Sequence, residues 1–439
     1  MRMTRRFFLQ STGAMAVYCG VNPLDRALAQ TMDDPANHAV TRNKTLVVVF
    51  LRGGIDGLNW VVPYADPHYA KLRPSLKVNR PGRDEGAIDL DGFFGINPRA
   101  HRLMPWFDAG LACAAHAVGY DGNSRSHFEE QDVWETGVAG NTLGSDGWLN
   151  RHLLTSEGHG PIRAVAISDT LPRILRGDAP AYALSGLTDL GLPTKAGDSD
   201  AIAAALEHAY RAPGLEDMDH ATGLVTKAGR ETLDGLDVLR KVADQPYTPG
   251  ATYPDRSKLG QQFQTAAQLI KADLGLEVVQ IDYGGWDTHN RQGGGAQGNF
   301  GNKVQELSDA LAALAEDLGP RLSDTLVLTI SDFGRTAAEN GTAGTDHGWA
   351  NAMLALGGPV QNLGTLAQGG ANSATTPGRR KVLASWPGLS PEQLNQNRDL
   401  AHTIDFRDVL AEVVRVHLGN DNLPTVLPGH EFKPVGLVG

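Results

Sequence analysis

Between Leu276 and Ile330 the sequence reads as strand, long helix, strand, and this unit constrains the fold more than any other stretch. Leu276 to Tyr283 ends in Gly284-Gly285-Trp286-Asp287-Thr288-His289. After a Gly-rich loop, Val304, Leu307, Leu311, Leu314 and Leu318 fall on one helical face, and Gly319-Pro320 stops the helix. Thr325 to Ile330 is the next strand, and it ends in Ser331-Asp332-Phe333-Gly334-Arg335. A helix joining two strands in this way is a βαβ crossover, the building block of a parallel sheet covered by helices. The expected class is therefore α/β.

Three further runs fit such a sheet. Thr45 to Leu51 is a continuous apolar, β-branched run, as expected for a strand buried on both faces. Leu111 to Val118 and Ile162 to Ile167 read the same way. Helices are expected over 99–109, from about Phe128 to Glu135, and from Phe406 to Leu418, with a helix-rich segment at about 185–275. Residues 361–380 are rich in Gly, Ala, Asn, Thr and Gln and read as a long loop or hairpin. No internal repeat is visible. A chain of 439 residues suits one large α/β domain or two modest ones.

The first 29 residues read as a removable export signal. Arg5-Arg6 is followed by Phe8-Leu9, a short apolar stretch runs from about Ala14 to Cys19, and Ala27-Leu28-Ala29 offers a small-x-small cleavage site. The arginine pair resembles a twin-arginine signal, so the twin-arginine export machinery is an expected partner and the periplasm or the exterior the expected destination. Cleavage leaves Cys113 as the single cysteine of residues 30–439, which excludes an intramolecular disulfide. The formal charge of −11 disfavours non-specific binding to nucleic acid or anionic membrane, though a small anion can still find a local site. No later apolar run reaches about 20 residues, so a membrane span in the mature chain is not expected.

Chemistry gathers where strands end. In open parallel sheets ligands bind at the carboxyl ends of the strands. Those ends carry Asp56, then Asp287 and His289, then Asp332 and Arg335, with Asp346 and His347 beyond a Gly-rich loop. Carboxylate oxygens and imidazole nitrogens suit Zn, Mn, Mg or Fe. Each residue also has a plainer reading. Asp56 can cap a turn among glycines, Asp287 can close an Asx turn, and Asp332 can cap the following helix. The loop Asn123-Ser124-Arg125-Ser126-His127 is a second concentration. Ser124 or Ser126 is a candidate nucleophile and Arg125 a candidate anion clamp, while Ser126 with Glu129 three residues on also makes a capping box. His127 and Gln131 share one helical face, and Arg52 and Arg335 can balance carboxylates or bind an anion. Cys113 reads as core.

Taken together, Leu51-Arg52-Gly53-Gly54-Ile55-Asp56-Gly57, Arg125-Ser126-His127-Phe128, Gly285-Trp286-Asp287-Thr288-His289, Ser331-Asp332-Phe333-Gly334-Arg335-Thr336 and Asp346-His347-Gly348 resemble the exported bacterial family called domain of unknown function 1501. That family is grouped with the alkaline phosphatase, sulfatase and cofactor-independent phosphoglycerate mutase superfamily. The resemblance implies a three-layer α/β/α sandwich around a mostly parallel sheet, a single alkaline phosphatase-like domain over residues 30–439, and a one- or two-metal site. It maps metal ligands onto Asp56, Asp287, His289, Asp332 and His347, with Zn, Mn or Mg as the ion. It implies a hydrolase of phosphate or sulfate esters in the cell envelope, with Arg125 or Arg335 stabilising the charge of the transferred group and Ser124, Ser126 or water attacking. The alternative is an exported binding protein on the same scaffold. Three departures stand out: only Thr288 separates the middle pair, Phe333 replaces the histidine expected after Asp332, and no serine holds the usual nucleophile position.

Overall fold

The computed structural model describes residues 43–140, 145–187, 199–211, 220–360 and 381–439. The export signal, the 361–380 stretch and parts of the 185–275 segment lie outside those residues.

The strands of the main sheet are β1 (Thr45–Leu51), β2 (Ala112–Gly119), β3 (Ala164–Ile167), β4 (Tyr182–Leu184), β5 (Val278–Asp282), β6 (Thr325–Ser331), β7 (Asn351–Gly357), β8 (Val382–Leu383) and β9 (Ile404–Asp405). Their spatial order is β8-β2-β7-β6-β1-β5-β3-β4, with β9 also against β2. Every pairing is parallel except those of β7 with β2 and β6. β1 sits between β5 and β6, with Val48 opposite Gln280 on one side and Leu328 on the other. The β5–helix–β6 crossover therefore spans β1 and does not join adjacent strands.

The helices that matter here are α1 (His127–Thr136), α2 (Trp148–Thr155), α3 (Lys258–Lys271), α4 (Gly298–Leu318) and α5 (Phe406–Glu412). Strand side chains alternate between faces, and β1 is apolar on both because both are covered. Val47, Val49 and Leu51 join a core with Phe263 and Ile270 of α3 and Leu307, Leu311 and Leu314 of α4. Leu46, Val48 and Phe50 join a second core with Trp134 of α1, Trp148 of α2 and Phe406 and Val409 of α5. Helices on both faces of a mostly parallel sheet make the three-layer α/β/α sandwich. Each fully buried Leu, Val or Phe contributes about 1.5–3 kcal/mol. Cys113 lies in the second core, and burial pushes its thiol up to about 12.

Several local expectations shift. The 99–109 helix is a 3-10 segment, Pro98–Leu103, running into a short α-helix, Met104–Ala109. The late helix is α-helical to Glu412 and a π-turn over Val413–His417. The reversed strand β7 is absent from the expected elements. No helix among the described residues is long and apolar enough to cross a membrane.

Two buried histidines make stability acid-sensitive. His116 in β2 donates from Nε2 to the Val61 carbonyl (3.0 Å) and accepts the Ala117 N–H at Nδ1 (2.8 Å). Burial lowers its pKa to about 4, and burial does the same to His417, also to about 4. The unfolded chain takes up these protons below about pH 6.5, whereas the folded chain resists them until about pH 4. Their contribution is thus present above pH 6.5 and is lost as pH falls toward 4, by roughly 3 kcal/mol per histidine. Urea midpoints measured at pH 7 and pH 5 should drop more in the wild type than in His116→Gln. Equal drops in both would show that His116 is not the titrating group.

Candidate metal centre

Because β7 runs against its neighbours, its start lies at the same edge of the sheet as the ends of β1, β2, β5 and β6. The turn after β1, the start of α1, the loop after β5, the end of β6 and the segment before β7 therefore meet there. The closeness of the backbones is set by Gly53, whose φ of +113° lies in the glycine region. A Cβ at Gly53 would stand 2.7 Å from the Asp287 nitrogen, so only glycine lets the β1 turn pass the loop that carries Asp287.

Three imidazoles converge on one carboxylate at this edge. His127 Nδ1 bonds Asp332 Oδ2 at 2.7 Å, His289 Nδ1 bonds Asp346 Oδ1 at 2.8 Å, and His347 Nδ1 bonds the Arg125 carbonyl at 2.7 Å. Ionised carboxylates and a carbonyl only accept, so each Nδ1 carries the proton, and each ring in its neutral form offers its Nε2 lone pair. Those three nitrogens face Asp287. His289 Nε2 and His347 Nε2 stand 2.9 and 3.1 Å from Oδ1, and His127 Nε2 stands 3.5 Å from Oδ2. His289 Nε2 and His347 Nε2 are 2.9 Å apart. Two lone pairs do not bond each other, so the contact calls for a cation or a shared proton between them. Among the described residues His127 Nε2 is buried without a hydrogen-bond partner.

These spacings suit a metal ion. Bonds of about 2.0–2.1 Å at tetrahedral angles place ligand atoms about 3.3 Å apart. The observed separations bracket that value, and ligand atoms of His127, Asp287 and His347 all lie within 4.8 Å of one another. Histidine ligands also characteristically donate their second N–H to a carboxylate or carbonyl, as all three do here.

Electrostatics keep the two carboxylates ionised. Burial works to raise Asp287, but the Arg335 hydrogen bond (Nη1 to Oδ1, 2.7 Å) and charge, with His289 and His347, hold it below the usual carboxylate range. Burial likewise opposes ionisation of Asp332, and the donors His127, Gln131 and the Gly53 N–H outweigh it. The bond to Asp332, more than the other influences, raises His127, whereas burial lowers His347. Phe333, in place of the expected histidine, packs its ring 4.7 Å from those of both His127 and His347 and walls one side of the cluster.

The other expected residues fall elsewhere or act differently. Asp56 is fully buried, and its carboxylate is spanned by Arg73 Nη1 at 2.8 and 2.6 Å and held by Gln292 Nε2 at 2.6 Å. Its oxygens are thus taken up by a resident guanidinium. Gln292 passes the connection on, accepting from Thr288 and Thr345 beside the cluster. Asp332 spends its oxygens on Gly53, Gln131 and His127, so it orients His127 and is not itself among the converging atoms. Ser124 Oγ donates to Glu130 Oε1 at 2.8 Å. Ser126 is the N-cap of α1 without a side-chain cap bond, so the expected box with Glu129 is not formed. Arg125 points away, to Asp399 (2.6 Å) and Gln396 (2.8 Å), and meets the cluster only through its carbonyl. Arg335 is committed to Asp287 and Thr345.

Sequence reasoning placed His127 beside the site without making it a ligand. The signal was its i, i+4 relation to Gln131, since both bind Asp332. It missed Arg73 and Gln292, whose importance appears only once Asp56 is seen to be buried.

Fold and cluster define an α/β/α protein with a histidine–carboxylate centre at the carboxyl edge of its sheet. The chain belongs to the family described as "Protein of unknown function (DUF1501)", whose model matches residues 105–421. No curated protein matches it. Among solved structures it is similar to Ps i-CgsB in complex with k-i-k-neocarrahexaose, at 11% identity and TM-score 0.36, over 87% of this chain and 73% of that one. The PsFucS1 sulfatase from Pseudoalteromonas sp. matches at 14% identity and TM-score 0.27, over 72% and 62% respectively, so the alignment spans less than two thirds of that enzyme. The alkaline phosphatase from the Antarctic bacterium TAB5 matches at 12% identity and TM-score 0.24, over 72% and 92%.

Proposed function

We propose that the protein is a metal-dependent hydrolase of phosphate or sulfate esters, acting after export to the cell envelope, with a single divalent ion held by His127, Asp287, His289 and His347. The convergence of three Nε2 atoms on Asp287 carries this reading. A single ion is favoured because Arg73 already neutralises Asp56. Zn suits the imidazole-rich donor set better than Mn or Mg, which prefer oxygen ligands.

Such an ion, when bound, polarises an ester oxygen and makes a water nucleophilic near neutral pH. The chain's own residues prepare the place. Asp332, Asp346 and the Arg125 carbonyl hold the Nδ1 protons and fix the three rings. Arg335 keeps Asp287 ionised and anchored. Phe333 excludes water from one flank, while Asp287 and His289 keep 42% and 37% of their side chains exposed, which leaves an open approach for substrate. Among the described residues neither Ser124 nor Ser126 hydrogen-bonds a histidine of the cluster, and Ser124 is engaged with Glu130, so water is the favoured nucleophile.

The test combines elemental analysis with turnover of p-nitrophenyl phosphate and p-nitrophenyl sulfate by the exported protein. About one ion per chain and chelator-sensitive release of p-nitrophenol are expected. A tightly held ion without turnover of either ester would favour the binding-protein alternative. No ion after incubation with Zn and Mn would remove the hydrolase reading altogether.

A further inference from the structure

Helix α1 faces two places. His127 and Gln131 reach the histidine cluster, while Asp132 and Glu135 line a separate cavity of about 430 Å³ with Arg52, Thr170, Pro172, Arg173, Arg176 and Asp282. A helix rises 1.5 Å per residue, so His127 and Glu135 stand about 12 Å apart along its axis. The two places are joined by a short chain of bonds. Arg52 Nη1 donates to Gln131 Oε1 at 3.0 Å, and Gln131 Nε2 donates to Asp332 Oδ2 at 2.8 Å.

The lining says what such a cavity can hold. Three arginines face three carboxylates, so the cavity has no formal net charge. Arg52 is paired with Asp282 (2.8 Å) and Glu135 (3.1 Å), and Arg173 with Asp132. A small free anion gains little from arginines already matched in this way, and an apolar group finds only Pro172. Alternating fixed donors and acceptors suit a ligand whose every group both donates and accepts, which is the property of a hydroxyl. Among the described residues the Arg176 guanidinium makes one hydrogen bond, from Nε to the Leu171 carbonyl, so it has donors to spare. The volume lies at the small end of the roughly 300–1,000 Å³ range of ligand pockets.

We propose that this cavity is a recognition subsite for an uncharged, polyhydroxylated group, a saccharide ring other than the one that bears the ester reacting at the histidine cluster. The proposal rests on the hydrolase reading for the position of the ester, but occupancy of the cavity is measurable without it. The Asp132–Arg173 and Arg52–Asp282 pairs hold the hydroxyl partners in place before the ligand arrives, which limits the ordering cost of binding.

The probe is a panel of neutral sugars, namely glucose, galactose, mannose, N-acetylglucosamine, maltose and lactose, with inorganic sulfate as the anionic comparison. Binding to the full, zinc-supplied chain is followed by saturation-transfer NMR and calorimetry. At least one sugar is expected to bind. Thr170→Trp, a substitution at an exposed lining residue, is expected to weaken that binding at least tenfold with metal content unchanged, and Arg176→Ala is expected to weaken it with the fold intact. His347→Ala is expected to lose metal yet keep the sugar. The proposal is overturned if no sugar binds, if Thr170→Trp and Arg176→Ala both bind as the wild type does, or if sulfate alone occupies the cavity. Sugar binding by a chain that holds no metal in any form would overturn the hydrolase reading and leave the subsite standing.

Discussion

An Arg73→Met variant is expected to lose about 3–5 kcal/mol of stability, because it strips the counter-charge from a carboxylate with no exposure to water. Arg73 also donates to the Asn59 side chain and to the Thr336 and Ala337 carbonyls, so one substitution leaves several buried acceptors unsatisfied. Denaturant unfolding measures the loss. The companion variant, Asp56→Asn, separates two roles for Asp56. If the aspartate serves Arg73, Asp56→Asn unfolds more easily but keeps its ion. Loss of the ion in a folded Asp56→Asn protein would restore Asp56 as a ligand and make the centre larger than one ion.

The second large effect is expected at the centre itself. His347→Ala removes one converging nitrogen and the contact with the Arg125 carbonyl, and metal affinity should fall by well over 100-fold. Replacing an outer partner such as Asp346 by Asn leaves the His289 ring in place but less firmly directed, and such changes cost about 10–100-fold. Competition with a chromophoric chelator reads both. Equal affinity in wild type and His347→Ala would mean that the ion sits elsewhere.

Much of the sheet was legible because burial on both faces leaves a plain mark. β1, β5 and β6 are apolar runs that stop at glycine and aspartate, and their ends are where the cluster lies. β7 escaped because Asn351–Gly357 follows a glycine-rich stretch and has no helix before it to announce a crossover; it is the strand that runs backwards. For the site, Asp287, His289, Asp332 and His347 were named from strand ends, and the structure brings them together. What spacing does not encode is the direction in which a carboxylate points. Asp332 and Asp56 occupy equivalent strand ends, yet one turns to His127 and the other to Arg73. That choice depends on partners 205 and 17 residues away, which no local pattern reveals. The two candidate serines were likewise ordinary in sequence; Glu130, buried beside Tyr120, decides the fate of Ser124.

The reversed strand has a consequence for assembly. His347 is fixed by a carbonyl 222 residues earlier in the chain, and that contact exists only once β7 has inserted between β2 and β6. Closing so long a loop is slow, because its entropic cost falls due before any contact rewards it. Before that pairing, Asp287 and His289, separated by a single residue, remain a local pair without the His127 and His347 nitrogens. The complete set of converging atoms exists only once these long-range pairings are made, so an ion held by all four residues stabilises the finished fold.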